Sequence, residues 1–216
     1  MTVLNRYHDR IAAGEVLATE LVKYNHNPST VVIGLPRGGV VTAAVVAKRL
    51  HLPLDVTCPR KIGSPWNPEY AVGAVTEKGE PVIHWEAVRT ASIDESTLKE
   101  IIEKQTAEAT HRVNLYRNRS AGLEVSGQVV LLVDDGVATG STVEAAIQSL
   151  KSSGAKKIIL AVPVAPHDTL ERLRDRVDEI YCPLIPNDFY AVGQFYDVFE
   201  QVEDEEVCRL LKTQSR

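Results

Sequence analysis

The sequence has few cysteines, no long apolar run and no excess of positive charge, and each absence excludes a class of protein. Only three cysteines occur, Cys58, Cys182 and Cys208, and they form no CxxC pair, so neither a zinc site nor a disulfide framework is supported. The longest uninterrupted apolar run, IILAVPVA, is far too short to span a bilayer, and the first residues lack the apolar core of a signal peptide. We therefore expect a soluble protein of the reducing cytoplasm, without a membrane partner.

The net charge of −5 gives the chain no broad basic face, so we expect no nucleic-acid partner. A length of 216 residues with 44% hydrophobic content can bury one good-sized core and hardly two. This predicts a single domain over residues 1–216.

Apolar runs rich in valine, isoleucine and leucine alternate with helical patterns along most of the chain. Such near-continuous runs are typical of strands buried on both faces of a parallel sheet. The predicted strands are 31–35, 54–58, 129–133, 158–164 and 179–184. The predicted helices are 40–50, 142–153 and 168–176, the last with Asp168 and Glu171 at capping-box spacing. We predict an α/β fold, a parallel twisted sheet of about five strands flanked by helices, with its core over about 26–185.

Two regions depart from this alternation. Residues 60–127 contain a Pro- and Gly-rich loop, KIGSPWNPEYAVGAV, a turn at EKGE, and an amphipathic helix over about 92–117. Residues 186–216 form a tail rich in aromatic and carboxylate side chains before a short closing helix. We expect the first region to be an excursion that carries a flexible loop, and the second to be a small hood over the sheet edge.

The stretch VLLVDDGVATGSTVEAA, residues 130–146, ends a buried strand with two adjacent carboxylates, Asp134 and Asp135. Aspartate is unfavourable in a strand, and adjacent carboxylates repel unless something positive lies between them, so the pair indicates a site. The carboxylates can bind a divalent cation through water or accept hydrogen bonds from vicinal sugar hydroxyls. A strand-end cap at Asp134 or an acidic pocket of the response-regulator type are the structural alternatives, but neither requires the loop that follows.

The loop GVATGST lies where a helix begins, a position that offers free backbone amides and the positive end of a helix dipole. Gly136 and Gly140 allow a tight path, and Thr139, Ser141 and Thr142 add hydroxyl donors, so a phosphate can be bound without a lysine. The absence of GK[ST] argues against a P-loop ATPase. A phosphate beside a diol site indicates a ribose 5-phosphate.

VLLVDDGVATGST resembles the phosphoribosyl-pyrophosphate signature of the type I phosphoribosyltransferases over thirteen positions. Gly136 departs from the family pattern, which usually has an aliphatic residue there. LPRGGV and RKIGSPWNPEYAVGAV resemble a less characterised branch of that family, and the likeness extends from about residue 31 to 207. The substrate of that branch is generally unassigned.

The resemblance implies Mg²⁺-dependent transfer of phosphoribose from phosphoribosyl pyrophosphate to a nitrogen acceptor, with a nucleobase as the expected acceptor. It implies that Asp134 and Asp135 hold the ribose hydroxyls and the Mg²⁺. The implied 5-phosphate site is Ala138, Thr139, Gly140, Ser141 and Thr142, after Gly136. The implied pyrophosphate site is Arg37, Gly38 and Gly39, with Arg60 and Lys61 adding positive charge, although these last two could equally be a solvated strand end.

The acceptor base stays open at this point. Ala138 is similar to adenine phosphoribosyltransferases, because 6-oxopurine enzymes have an acidic residue there. FYAVGQFYD instead resembles the base-stacking segment of hypoxanthine-type enzymes, with Tyr190 at the stacking position and Asp197 at the later acidic position. An aromatic platform accepts any flat base, so it indicates a base-like acceptor without selecting one.

Other classes of function also stay open. Some family members are non-catalytic nucleotide sensors, although a sensor need not retain PRGG or Arg60 and Lys61. A hydrolase or phosphatase would use the acidic pair differently, but the sequence offers no nucleophile and base partnership. Trp66 could shield the reaction from water or pack its loop down. A homodimer is common in the family.

Overall fold

The computed structural model describes residues 5–67, 70–77, 81–118, 122 and 124–214. Five parallel strands form a central sheet, and three short strands form a separate antiparallel sheet. The strands are β1 Thr30–Gly34, β2 Leu54–Val56, β3 Arg60–Gly63, β4 Ala71–Val75, β5 Val82–Ile83, β6 Val129–Val133, β7 Lys157–Ala161 and β8 Glu179–Tyr181. The helices are α1 Arg10–Glu20, α2 Gly38–Leu50, α3 Trp85–Thr90, α4 Glu95–Tyr116, α5 Ser141–Ser152, α6 His167–Arg174 and α7 Asp204–Gln214. Short 3₁₀ helices lie at Val22–Tyr24 and Val192–Phe195.

The strand order of the central sheet is β2-β1-β6-β7-β8. From β1 the sheet grows to one side through β2, and from β6 it grows to the other side through β7 and β8. Open α/β sheets bind ligands at such a switch point, beyond the carboxyl ends of the strands. Gly34 pairs with Val133 at that end of β1 and β6, so the segments that follow the two strands begin side by side. The predicted α/β class and five-stranded parallel sheet are confirmed.

Strand β6 is enclosed on both faces. Leu131 and Val133 belong to the core under α2, whereas Val130 and Leu132 belong to the core under α5. All four are fully buried, and burying each such side chain contributes about 1.5–3 kcal/mol. The strand that carries the acidic pair is therefore held firmly, and so is the position of its end.

Several element boundaries differ from the sequence predictions. Strands β2, β7 and β8 end two or three residues early. Strand β7 ends at Ala161 because Pro163, two residues later, has no N–H to donate to the neighbouring strand. The predicted capping box of α6 is wrong, because Pro166 is the N-cap and Asp168 lies inside the helix, 3.9 Å from Arg172.

Helix α1 was not predicted. Asp9 caps it by accepting a hydrogen bond from the Ala12 N–H at 2.8 Å, and Leu17 is buried in the core that α2 also lines. The contact with α2 stabilises this short helix, and that contact joins segments far apart in the chain.

The excursion is more regular than predicted. The two ends of the loop KIGSPWNPEYAVGAV, residues 61–75, form a β-hairpin in which β3 pairs antiparallel with β4, and β5 adds a third strand. Residues 68 and 69 of this loop lie outside the described residues. The helix expected over about 92–117 is α4, which begins at Glu95, because Ser92 adopts a left-handed backbone with φ of 52° and Asp94 caps the helix by accepting a hydrogen bond from the Thr97 N–H. The short helix α3 before it was not predicted. Of the turn expected at EKGE, residues 78–80 lie outside the described residues.

The hood contains the 3₁₀ helix Val192–Phe195 and is joined to the start of the chain. Tyr7 donates its backbone N–H to Phe195 O at 2.8 Å, and the Asp197 N–H donates to Tyr7 O at 2.9 Å. These two segments, residues 7–10 and 195–200, are called the terminal clasp below. Across the described ranges, no helix has both the length and the apolar character needed to cross a membrane.

Candidate active site

The two motifs singled out in the sequence meet at the carboxyl ends of β1 and β6. The Leu35 N–H donates to Val133 O at 2.9 Å, which places the loop after β1 against the acidic pair. A Cβ on Gly38 would overlap the Asp135 carboxylate, and a Cβ on Gly39 would lie 2.5 Å from Asp134 Oδ1. Only glycine fits at these two positions, because the Cβ of any other residue would collide with one of the two carboxylates.

Asp134 and Asp135 form an electrostatically strained pair. The Asp135 N–H donates to Asp134 Oδ1 at 2.9 Å. Burial, and then the negative charge of Asp135, raise the pKa of Asp134 well above its ordinary value. Asp134 keeps part of its surface exposed, so a ligand can reach it. A cation bound here would relieve the repulsion.

Arg10 is the counter-ion of the pair, and no sequence pattern indicated it. Its Nε donates to Asp135 Oδ2 at 2.6 Å, and both side chains are mostly buried. Its Nη1 donates to Glu200 O at 2.8 Å, and its guanidinium carbon lies 3.8 Å from the centre of the Phe199 ring. Tyr196 also donates its hydroxyl to Asp135 O at 2.5 Å. The terminal clasp therefore holds Asp135 in place.

The phosphate-type loop is oriented by side chains of helix α6, a contact that the sequence did not indicate. Thr169 Oγ1 donates to Ala138 O and Arg172 Nη2 donates to Thr139 O, each at 2.8 Å. In a trans peptide the carbonyl and the following N–H point in opposite directions, so the amides of Thr139 and Gly140 point away from α6. Gly140, with φ of 77°, begins α5 without a side-chain cap, which leaves the first amides of that helix available. The hydroxyl residues Thr139, Ser141 and Thr142 are exposed on the same loop.

Gly136 differs from the family pattern because the hood occupies the space of a side chain. A Cβ there would overlap Val192 Cγ1 and would lie 3.0 Å from Val164 Cγ1. The missing side chain of the loop is thus replaced by Val192, and the hood packs directly on the acidic motif.

The Arg37 side chain is ion-paired at the start of α7. Its Nη1 lies 3.7 Å from Glu203 Oε2 and 3.9 Å from Asp204 Oδ1, at the start of α7. Asp204 Oδ1 also accepts a hydrogen bond from the Tyr116 hydroxyl, at an oxygen-to-oxygen distance of 2.7 Å. The backbone of Gly38 and Gly39 lies beside the acidic pair, whereas the Arg37 guanidinium is ion-paired with this acidic end of α7.

Arg60 and Lys61 lie on β3, in the antiparallel sheet. With Lys104 and Gln105 of α4 they line a cavity of about 590 Å³, and Arg60 Nε donates to Gln105 Oε1 at 3.1 Å. Thr142 lines the same cavity. Among the described residues, neither the acidic pair nor the loop after β1 contributes to its lining.

Two aromatic side chains named in the sequence are exposed. Tyr190 is 88% exposed, and its backbone N–H donates to Gln194 Oε1 at 2.8 Å, so its segment is held while its ring is uncovered. Trp66 is 79% exposed, so it does not pack its loop down. Asp197 forms an exposed ion pair with Arg6 at 3.5 Å.

Comparison with known proteins identifies the class that this fold and site define. Residues 4–199 match the family model of the phosphoribosyl transferase domain. Two proteins of Mycobacterium tuberculosis, from strains CDC 1551 and H37Rv and each named "Putative phosphoribosyl transferase", are 40% identical over 205 residues, covering 95% of this chain and 46% of theirs. The chain belongs to the phosphoribosyl transferase domain family, and it spans about half the length of these curated relatives.

A solved structure shares the whole fold. The crystal structure of TT1426 from Thermus thermophilus is 42% identical in sequence, with a TM-score of 0.88, and the match covers 98% of this chain and 100% of that chain. The resemblance inferred from VLLVDDGVATGST is therefore confirmed at the level of family and fold.

Proposed function

We propose that the protein transfers phosphoribose from phosphoribosyl pyrophosphate to a nitrogen acceptor and releases pyrophosphate in an Mg²⁺-dependent reaction. The observation that carries this proposal is the contact of Gly38 and Gly39 with the carboxylates of Asp135 and Asp134, with a phosphate-type loop directly behind them. Two anion-binding loops on either side of an acidic pair match a donor with a phosphate at one end, a diphosphate at the other and hydroxyls between.

Each part of the site has a role in this reaction. Asp134 and Asp135 accept hydrogen bonds from the 2- and 3-hydroxyls of the ribose, and the loop 138–142 binds the 5-phosphate through amides and hydroxyls. The amides of Gly38 and Gly39 bind the diphosphate. The bond from the anomeric carbon to the diphosphate oxygen breaks with its electrons leaving on that oxygen. The acceptor nitrogen forms the new bond to the anomeric carbon with its lone pair, and its N–H proton passes to the released diphosphate or to water. The amides stabilise the charge that develops on the leaving group.

The acidic pair suits Mg²⁺ in its chemistry. Mg²⁺ takes oxygen ligands, keeps several waters and is commonly held by one or two carboxylates together with substrate phosphates. Of the residues that the structure describes, no three His, Cys, Asp or Glu side chains come together, so Asp134 and Asp135 would share the ion with water and donor oxygens. The ion supplies positive charge against the leaving diphosphate when bound.

A flat nitrogen base is the acceptor class that we propose. The support is Tyr190, whose uncovered ring lies two residues from Val192, the residue that packs on Gly136. Stacking on such a ring is worth about 1–3 kcal/mol per base and selects a flat acceptor over an aliphatic amine.

The single domain, the homodimer and the cytoplasmic location stay predictions. The three cysteines are free, as a reducing compartment would keep them.

A non-catalytic sensor of the same donor is the second candidate, and two contacts favour it. Arg37 is ion-paired with Glu203 and Asp204, and Arg10 occupies one oxygen of Asp135. A sensor can bind the donor at the amides and the acidic pair without using Arg37 against a leaving group.

Pyrophosphate release separates the two candidates. The protein is incubated with phosphoribosyl pyrophosphate, Mg²⁺ and a panel of purine and pyrimidine bases, with Asp134→Asn as the inactive control. Base-dependent release by the native chain and none by the variant is the expected result. Tight donor binding without release for any base would favour the sensor, and absence of donor binding would contradict both candidates.

A further inference from the structure

We propose that the cavity between β3 and α4 forms the outer wall of the 5-phosphate site, and that Lys104 is a binding residue for that phosphate. Arg60 and Lys61 then act at the 5-phosphate end of the donor, not at the diphosphate end that the sequence implied for them. This inference rests on the proposed function and names a binding residue that neither the sequence motifs nor the family resemblance indicates.

The charge of the cavity favours an anion. Its described lining carries three cationic side chains, Arg60, Lys61 and Lys104, against one carboxylate, Glu100. Lys104 forms no ion pair with any of the described carboxylates, whereas Lys99 on the same helix lies 4.0 Å from Glu103. A lysine without an acidic partner is available to a phosphate.

The walls of the cavity are held in place. Ile62 of β3 and Leu98 of α4 are buried in one apolar cluster, which fixes the hairpin against the helix. The hydrogen bond from Arg60 to Gln105 joins the same two elements at their polar side. A volume of about 590 Å³ is in the range of pockets that hold small molecules, so a phosphate enters with its hydration.

The position of Thr142 joins this cavity to the phosphate loop. Thr142 lies in the first turn of α5, is exposed, and lines the same cavity as Lys104. The segment from Gly136 to Thr142 contains no cation of its own. Arg172 binds the loop through the Thr139 carbonyl, on the side away from the free amides. A 5-phosphate, which carries close to two negative charges near neutral pH, gains its opposing charge from the β3 and α4 side.

The test compares two ligands that each represent one end of the donor. Calorimetry measures the affinity of ribose 5-phosphate and, separately, of Mg²⁺-pyrophosphate for the native chain, Lys104→Ala and Lys99→Ala. We expect Lys104→Ala to weaken ribose 5-phosphate by about tenfold and to leave pyrophosphate within about twofold, since one charged hydrogen bond is lost. Lys99→Ala, an exposed lysine of the same helix outside the cavity, should change neither. Lys104→Arg should retain most of the affinity.

Thr142→Val separates failure of this inference from failure of the proposed function. Weakened ribose 5-phosphate binding in Thr142→Val with unchanged binding in Lys104→Ala would overturn the role of Lys104 and leave the phosphate loop standing. Weakened pyrophosphate binding in Lys104→Ala would show that the cavity binds the diphosphate end of the donor, and this result would also overturn the inference. Native ribose 5-phosphate affinity in Thr142→Val would overturn the proposed function itself.

Discussion

The carboxyl edge of the central sheet and the hairpin with α4 both bring polar groups to the site, but they are held in different ways. At the sheet edge, backbone contacts fix the polar groups in place. These contacts are the pairing of Gly34 with Val133 and the close approach of Gly38 to Asp135. The hairpin has its own apolar cluster and a buried ion pair at its base. There Arg117, after α4, donates to Asp55 of β2 through two hydrogen bonds of 2.8 Å.

Arg117 also lies 3.7 Å from Glu77, which follows β4, so one guanidinium joins the hairpin to the central sheet. The groups of the edge that we propose to bind the donor are thus fixed by a buried backbone, whereas the cations of the hairpin depend on a few side-chain contacts. Changes at the edge should remove binding, and changes at the base of the hairpin should loosen its position. The predictions below test this division.

Removing both carboxylates should have the largest effect. Asp134→Asn with Asp135→Asn should reduce Mg²⁺-dependent binding of phosphoribosyl pyrophosphate by at least about a hundredfold, because two charged hydrogen-bond acceptors are lost at about 1.5–3 kcal/mol each. Calorimetry with and without Mg²⁺ measures it, and exposed Asp175→Asn is the control. Unchanged affinity with Mg²⁺ would show that the donor binds elsewhere and that the carboxyl edge of the sheet is not its binding site.

Breaking the base of the hairpin should cost about 3–5 kcal/mol of unfolding free energy. Arg117→Met removes both hydrogen bonds that this guanidinium donates to the buried Asp55 carboxylate, whose side chain is only 6% exposed. Arg112→Met is the matched control, because Arg112 pairs with Glu108 at the surface, where an ion pair is worth about 0–1 kcal/mol. Urea unfolding measures both variants. Equal losses would show that the Arg117 pair is no stronger than a surface contact.

The hood lies outside both regions and tests whether the acceptor side is separate from the donor side. Tyr190→Ala should raise the KM for the acceptor by the loss of about 1–3 kcal/mol of stacking and should leave the KM for the donor nearly unchanged. Trp85→Ala removes another exposed aromatic ring, at the start of α3, and should change neither constant. A rise in the donor KM alone would assign Tyr190 to the phosphate side.

The smallest effect concerns the free energy of unfolding, which the Asp134 carboxylate lowers when it is ionised. The raised pKa of Asp134 means that the folded chain holds this proton more tightly than the unfolded chain, so stability is lost as the pH rises from the unfolded pKa through the folded pKa. Asp134→Asn should therefore melt at a higher temperature than the native chain at about pH 8. The advantage should shrink as the pH falls through the folded pKa, where the native carboxyl is neutral.

Melting curves between about pH 8 and pH 5 measure this difference. Asp135→Asn is the contrasting variant, because it removes the partner of Arg10. A constant difference between Asp134→Asn and the native chain across the range would contradict the raised pKa.

Much of the sheet and the core of the site could be predicted from local patterns. The runs of Val, Ile and Leu predicted strands buried on both faces, and VLLVDDGVATGST located the acidic pair and the loop on one of them. The predictions failed where a boundary depended on backbone detail, as at Ser92, or on a donor that proline lacks, as at Pro163. Arg60 and Lys61 were predicted as cations of the site, but the end of the donor that we propose they face depends on how β3 packs over α5.

The sequence by itself determined the class of fold, the acidic pair and the glycines that bring two loops together, because these depend on residues adjacent in the chain. Only the tertiary structure decided which side chains complete the site. Arg10 reaches Asp135 across 125 positions, and Arg172 reaches the Thr139 carbonyl across 33. Arg37, directly beside the motif glycines, turns to Glu203. The direction of a long charged side chain is set by the partners that packing places around it, and those partners lie far away in sequence.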